Sequence, residues 1–223
     1  GIRDCLLSRG LGDVYKRQAG YQAGFAVVAN TLASQKWIAQ CRRVIWVSST
    51  RVYRESEGGW VDEHSPLNLD EAKAGSMIAG EAAIRRAATA TIIRPAGVYG
   101  DPEGMLMRRI QAGEGGATGA LYGNRIHRED LSRLIAHCLE RDHAGQSVPP
   151  TMVGADHDQA PTHEIEDWLA DQIGVTLNRP SDPSPPRAHR RCRNSLLERI
   201  GFRLSYPTWR EGYRAALDAM AQR

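Results

Sequence analysis

Lysine is scarce in this 223-residue chain: only Lys16, Lys36 and Lys73 occur, and arginine carries the rest of the positive charge. No stretch approaches 18 uninterrupted apolar residues, so no membrane-spanning helix is expected. No charged-then-apolar leader opens the sequence. The four cysteines (Cys5, Cys41, Cys138, Cys192) are far apart and never spaced C-x-x-C. A disulfide framework or structural zinc site is therefore not expected, and a reducing cytoplasm is the default location. Charge of one sign is lacking too. Twenty-nine Lys+Arg against 26 Asp+Glu leave +3, and the two signs interleave, which speaks against a nucleic-acid partner. What remains is an ordinary globular composition, 41% hydrophobic and 25% charged, enough for one domain.

Residues 1–18 fit nothing downstream. They show no period, and Gly10 and Gly12 interrupt any helix there at about 1 kcal/mol each. They read as a non-native segment, leaving 19–223 as a single domain. Tyr21, Phe25, Val28, Leu32 and Ala39 recur at helical spacing, predicting a helix over 20–40. Val44-Ile45-Trp46-Val47 is a short apolar run typical of a strand covered on both faces. Residues 54–68 read as loop, broken by Gly58-Gly59 and Pro66. A helix follows over 70–88 with Asp70 and Glu71 in its first turn. Thr91-Ile92-Ile93 is a second buried strand, ended by Arg94-Pro95. A small helix is expected over 104–113, then a mobile glycine-rich stretch from Gly113 to Gly123. Leu131, Leu134, Ile135, Cys138 and Leu139 form the stripe of a helix over 128–141. A third strand is expected over Val148–Val153, weakened by Pro149-Pro150. Ile165 to Ile173 is helical and stopped by Gly174. Residues 179–187 form a proline-rich loop, and Pro207 opens a last helix carrying Trp209, Tyr213 and Leu217. Strands alternating with helices predict an α/β fold, a Rossmann-like parallel sheet with helices on both faces.

Ligands bind such sheets outside the carboxyl ends of the strands. Two of those ends are unusual: Val47-Ser48-Ser49-Thr50-Arg51-Val52-Tyr53 and Arg94-Pro95-Ala96-Gly97-Val98-Tyr99-Gly100. Between them lies Asp62-Glu63-His64-Ser65-Pro66. In this order they resemble the V-S-S-x-x-V-Y, D-E-x-x-P and R-P-x-x-V-Y-G segments of the extended short-chain dehydrogenase/reductases, the NAD(P)-dependent epimerase/dehydratase family. Ile126-His127-Arg128-Glu129-Asp130-Leu131 looks like that family's IH-x-x-D-L helix start. The closing segments Asn194-Ser195-Leu196-Leu197, Ile200-Gly201-Phe202, Tyr206-Pro207-Thr208 and Glu211-Gly212 are similar to an atypical subgroup called nucleoside-diphosphate-sugar epimerases.

The resemblance implies NAD or NADP as cofactor, hydride transfer to or from a carbinol carbon, and a small-molecule substrate of nucleotide-sugar type. It implies no nucleic-acid or membrane partner and allows a homodimer. Ser48, Pro95, Ala96 and Val98 fall on the nicotinamide side of the cofactor site, and the small substrate-binding part follows toward the carboxyl terminus. Ser49 falls on the hydroxyl residue that hydrogen-bonds the reacting oxygen, with Thr50 as its alternate; a serine there can equally well cap the strand end.

Two departures matter. No G-x-x-G-x-x-G follows an early strand, so the turn that lets backbone approach a pyrophosphate is missing. On the family pattern, on the order of 80–100 residues of βα units would precede Ala19, and the chain reads as a fragment of a longer parent. Gly113-x-x-Gly116-x-x-Gly119 fits the pattern only by spacing, since a helix and not a strand precedes it. The family's Tyr-x-x-x-Lys is also absent. Lys73 stands where Tyr is expected and Met77 where Lys is expected, four residues apart on one helix face with Glu81. Met cannot move a proton, and Lys73 reads either as a desolvated base or as a solvated surface lysine. A non-catalytic, NAD(P)-binding regulatory module therefore stands as the alternative function.

Other polar clusters read as structural. His127 is a helix-start residue bonded to backbone. Asp62-Glu63 and the His157/His163 pair lack the spacing of catalytic carboxylates or metal ligands. The basic cluster Arg187, His189, Arg190, Arg191 and Arg193 reads as a solvated face, with a nucleotide-sugar phosphate as its other possible partner.

Overall fold

The computed structural model describes residues 18–116, 121–180 and 189–222. The segment 1–17, Gly119 and Arg187 lie outside the described residues, and so does most of the proline-rich loop. The central sheet has three parallel strands in the order β1 (Val44–Val47), β3 (Ala90–Pro95), β6 (Thr151–Gly154). Register is set by Val47 opposite Ile93 and by Pro95 opposite Gly154. Alternation along β3 sends Ile93 to one face and Ala90 to the other.

On the first face Ile93 packs with Leu134 and Cys138 of α4 (Arg128–His143) and with Leu197, beside Met152 and Phe202. On the second face Ala90, Val44 and Trp46 pack against Ala29 of α1 (Gln18–Ala33) and Ala83 and Ile84 of α2 (Ala72–Ala87). The fold is thus the expected Rossmann-like one, with helices on both faces of a parallel sheet.

A separate apolar cluster joins α3 (Met105–Gln111), α5 (Thr162–Ile173) and α7 (Trp209–Ala221) around Met107, Ile110, Ile165, Leu169 and Trp209. Gly174 ends α5 in the left-handed region at φ 77°, where a side chain would be strained.

Several expectations need correction. The helix over 20–40 stops at Ala33, and Lys36–Gln40 is a separate 3-10 turn. β1 lies at the edge of the described sheet, with Ile45 packed on one face and Val44 and Trp46 on the other, and only Val47, 38% exposed, is open. The loop over 54–68 contains β2 (Trp60–Val61), paired in parallel with β7 (Arg191–Cys192). Glu71 lies outside α2 as its cap, accepting from the amides of Lys73 and Ala74, while Asp70 pairs with Arg54. The third strand starts only at Thr151, after the prolines that lack the amide a ladder needs. The last helix starts at Trp209, and its cap is Thr208 in a reciprocal box with Glu211, not Pro207. The pair β4 (Gly97–Tyr99) and β5 (Arg125–His127) and the short α6 (Ser195–Arg199) were not expected.

Candidate functional site

Parallel pairing places the carboxyl ends of β1 and β3 side by side. Ser48 N–H donates to the Ile93 carbonyl at 2.7 Å, so Ser48–Thr50 leave the sheet next to Arg94–Val98. Ser48 is buried, and its Oγ has no protein partner. The half-buried Ser49 caps the 3-10 turn Thr50–Val52, its Oγ accepting from the Arg51 amide at 3.1 Å. That bond uses a lone pair and leaves the hydroxyl proton for an outside acceptor. Thr50 turns its carbonyl inward, where the Tyr53 amide and Arg190 meet it. Pro95 and Ala96 are buried, with Ala96 N–H donating to Gly154, whereas Val98 is 53% exposed. The six residues singled out in the sequence therefore converge on one end of the sheet, Val98 as its open surface.

The helix face of Lys73, Met77 and Glu81 runs inward from that end. Met77 is buried with Val52, Tyr53 and Ala96. Glu81 makes a two-pronged ion pair with Arg94, at 2.7 and 3.1 Å. Lys73 is half-buried at the outer end of that face.

Both nearby tyrosines hold their protons more tightly than a free phenol. Burial, only partly opposed by Arg94, pushes the Tyr53 hydroxyl up to about 12. Burial and then the nearby Asp156 carboxylate raise that of Tyr99 still further. His127 is a buried helix cap, its Nδ1 accepting from the Glu129 amide at 3.3 Å, and burial lowers its basicity. Gly100, at φ 103°, lies so close to the His127 ring that any Cβ would collide with it.

Past Val98 the strand ends open into a cavity of about 340 Å³ between the sheet and the α3/α5/α7 cluster. Gly100, Arg109, Asn124, Arg125 and Tyr213 help line it. Arg125 is fixed by the Gly123 carbonyl at 2.8 Å and the Tyr213 hydroxyl at 3.2 Å. Arg109 reaches only the buried Glu166, at 3.8 Å. Glu166 also accepts from the Gly116 amide and pairs with Arg179, both at 2.8 Å. Gly113 and Gly115 hydrogen-bond Asn178 through their backbones. As far as Gly116 the glycine-rich stretch is hydrogen-bonded to Asn178 and Glu166. Arg109, Asn124 and Tyr213 had no role in the sequence reading. The only trace of Arg109 is a polar residue between the buried Met107 and Ile110.

The basic cluster is a solvated face only in part: Arg193 is exposed, whereas Arg190 turns inward. Arg190 is 6% exposed. Arg191 lies between the rings of Trp60 and Tyr122, at 4.9 and 4.8 Å, and His189 stacks on Tyr122 at 5.5 Å. Arg193 lies over Trp60. Asp62 accepts from His64 and Ser65, and Glu63 from the Val153 amide, so this loop is a brace under β6. Among the described residues no three His, Cys, Asp or Glu side chains converge as a metal site. No helix among them is long and apolar enough to cross a membrane.

No family model matches the chain, and no curated protein matches it. Solved structures do. A Methylobacillus flagellatus protein named as an NAD-dependent epimerase/dehydratase superposes with TM-score 0.71 and 26% identity, covering 90% of this chain and 81% of its own. The human epimerase family protein SDR39U1, solved with NADPH, gives 0.69 at 19% identity over 92% of this chain and 72% of its own. DesIV, a dTDP-glucose 4,6-dehydratase of Streptomyces venezuelae holding NAD and TYD, gives 0.68 at 19% identity over 99% and 71%.

Proposed function

We propose, for a chain that belongs with the extended short-chain dehydrogenase/reductases of the NAD-dependent epimerase/dehydratase type, an oxidoreductase role on a nucleotide-sugar-like substrate. The observation that supports this reading is the side-by-side placement of the β1 and β3 carboxyl ends, from which β4 leads through Val98 into the wall of the 340 Å³ cavity. Val98 and two arginines, Arg109 and Arg125, line that cavity, and the Ser49 hydroxyl stands at the neighbouring strand end. A bound nicotinamide would supply the hydride acceptor or donor for a carbinol carbon.

This chain's residues fit that end of the cofactor. Val98 offers a flat apolar surface, and Ser48 Oγ is a buried polar atom in want of a partner. Ser49 orients the reacting oxygen with its free hydroxyl proton. Arg125 offers the cavity a guanidinium for an anionic substrate group, while Arg109 faces Glu166 across it. The pyrophosphate end is different: among the described residues, no glycine turn joins a strand to a helix. The 223-residue polypeptide is accordingly expected to bind NAD or NADP no better than about millimolar, because nicotinamide-side contacts alone do not offset immobilising a dinucleotide. Micromolar binding by calorimetry would overturn that expectation. A cytoplasmic site of action belongs to the same proposal.

The test is a hydride-transfer assay with a panel of nucleotide sugars, using protein that binds NAD(P). Ser49→Ala should lower turnover about 10-fold or more through the lost hydrogen bond. Met77→Ala should change stability and leave the pH profile in place. A silent Ser49→Ala combined with an inactivating Lys73→Ala would move the role to the lysine. The burial of Met77 at the expected lysine position favours a second reading, a non-catalytic NAD(P)-binding regulatory module. Cofactor binding without turnover of any sugar, unaffected by either substitution, would select it.

A further inference from the structure

Arg190 is a buried cation with no carboxylate within ion-pair distance among the described residues. Its side chain points at the strand-end turn. Nη1 donates to the Thr50 carbonyl at 2.6 Å and to the Tyr53 carbonyl at 2.8 Å, while Nε has no partner. Those carbonyls bracket the 3-10 turn Thr50–Val52 that Ser49 caps. The backbone behind Arg190 is held just as firmly. Its carbonyl accepts from Asn124 Nδ2 at 2.8 Å, and the next amide but one, Cys192 N–H, donates to Asn124 Oδ1 at 2.7 Å. Asn124 lines the substrate-sized cavity. A continuous path of hydrogen bonds therefore runs from the cavity wall, through the 190–192 backbone and one guanidinium, to the turn that presents Ser49. Around it, Gly58 N–H donates to His189, Arg191 N–H to Gly59 and Arg193 N–H to Val61, so the segment cannot slide along its neighbours.

Stability alone does not account for this arrangement. The Glu55 carboxylate acts on this charge but makes no ion pair with it, so burying it still costs free energy, and an apolar side chain of similar length would fill the same space without that cost. What the guanidinium supplies and an apolar chain does not is a rigid fork able to hold two carbonyls at once.

We propose that Arg190 is a positioning residue: it ties the Ser49–Tyr53 turn to the backbone held by Asn124 of the cavity wall, so that the Ser49 hydroxyl has one orientation at the carboxyl end of β1. The proposal rests on the assignment of Ser49 above, but the turn's dependence on Arg190 can be measured without any ligand.

The experiment compares Arg190→Met and Arg190→Lys with the parent by amide hydrogen exchange and urea unfolding. Arg190→Met should unfold at a denaturant concentration equal to or above that of the parent, since it removes a buried charge. The amides of Val52 and Tyr53 should nevertheless exchange about 10-fold faster or more, as the turn loses its clamp. Arg190→Lys, keeping a donor, should restore most of the protection. Unchanged exchange at Val52 and Tyr53 in Arg190→Met would overturn the proposal. So would a uniform rise in exchange matched by a loss of global stability, which marks an ordinary core residue. With a turned-over sugar in hand, Arg190→Met should lower kcat and leave KM within about 2-fold. If no sugar is turned over, the oxidoreductase reading fails, and the exchange comparison still decides Arg190.

Discussion

Glu81→Ala should destabilise the protein by about 3–5 kcal/mol in urea unfolding, the largest effect expected of any single truncation near the site. Glu81 and Arg94 have side chains 4% and 5% exposed and meet through two hydrogen bonds, at 2.7 and 3.1 Å. Burial works against the Arg94 charge, and the Glu81 carboxylate more than offsets it, raising the guanidinium's basicity further. Arg94 also lies over the Tyr53 ring at 5.1 Å and donates to its hydroxyl at 3.3 Å. Removing the carboxylate strands a cation that cannot shed its proton, so the loss falls on the fold. The paired replacement Glu81→Leu with Arg94→Met, made together with Tyr53→Phe, should recover stability to within about 1–2 kcal/mol of the parent. A single Glu81→Ala costing less than about 1 kcal/mol would mean that water reaches Arg94 and that the pair is not sealed. Arg94 directly precedes Pro95–Val98, so the same substitution should also loosen that strand end.

Features resting on local repetition were legible in the sequence. Val44–Val47 and Ile92-Ile93 are short β-branched runs, and the Leu131-to-Leu139 stripe has a clean helical period. Gly174 is a stop signal because only glycine takes its backbone conformation without strain. The strand-end hydroxyls were legible through their order along the chain. Elements set by distant partners were not. β4 and β5 are three residues each and exist because Gly97–Tyr99 meets Arg125–His127. β7 is two residues lying against Trp60-Val61. Burial of charge was equally hidden. The run His189-Arg190-Arg191-Cys192-Arg193 looks uniformly solvated, yet Arg190 turns inward to two carbonyls from the other end of the domain. Met77 shows the opposite limit. Its mismatch with the expected lysine was visible, but only its packing with Tyr53 and Ala96 shows that the position faces core.

Asp156 follows β6 at the same end of the sheet and should make stability fall as pH rises. It is fully buried; Oδ1 accepts from the Asp158 amide at 3.3 Å, and Oδ2 has no partner. Burial pushes its carboxyl up to about 8; the Asp158 amide and Arg125 pull it down, while the Asp158 and Asp130 carboxylates push it further up. Because the folded value lies above the unfolded one of 3.8, the folded state holds the proton more tightly. Below about pH 4 both states are protonated and nothing is lost. Between about pH 4 and pH 8 the unfolded chain ionises first, so stability declines across that window and the loss is complete above it. Asp156→Asn cannot ionise and should escape the decline. We expect it to be more stable than the parent by about 3 kcal/mol at pH 9 and by about 1 kcal/mol at pH 5, water entry and relaxation keeping both below the 1.36 kcal/mol per pH unit ceiling. Urea unfolding of both proteins at the two pH values measures the gap directly. A gap that stays constant with pH would show the benefit to be hydrogen bonding by the amide; a less stable Asp156→Asn at pH 9 would show that the carboxylate is paired, with Arg125 the cation among the described residues that acts on it.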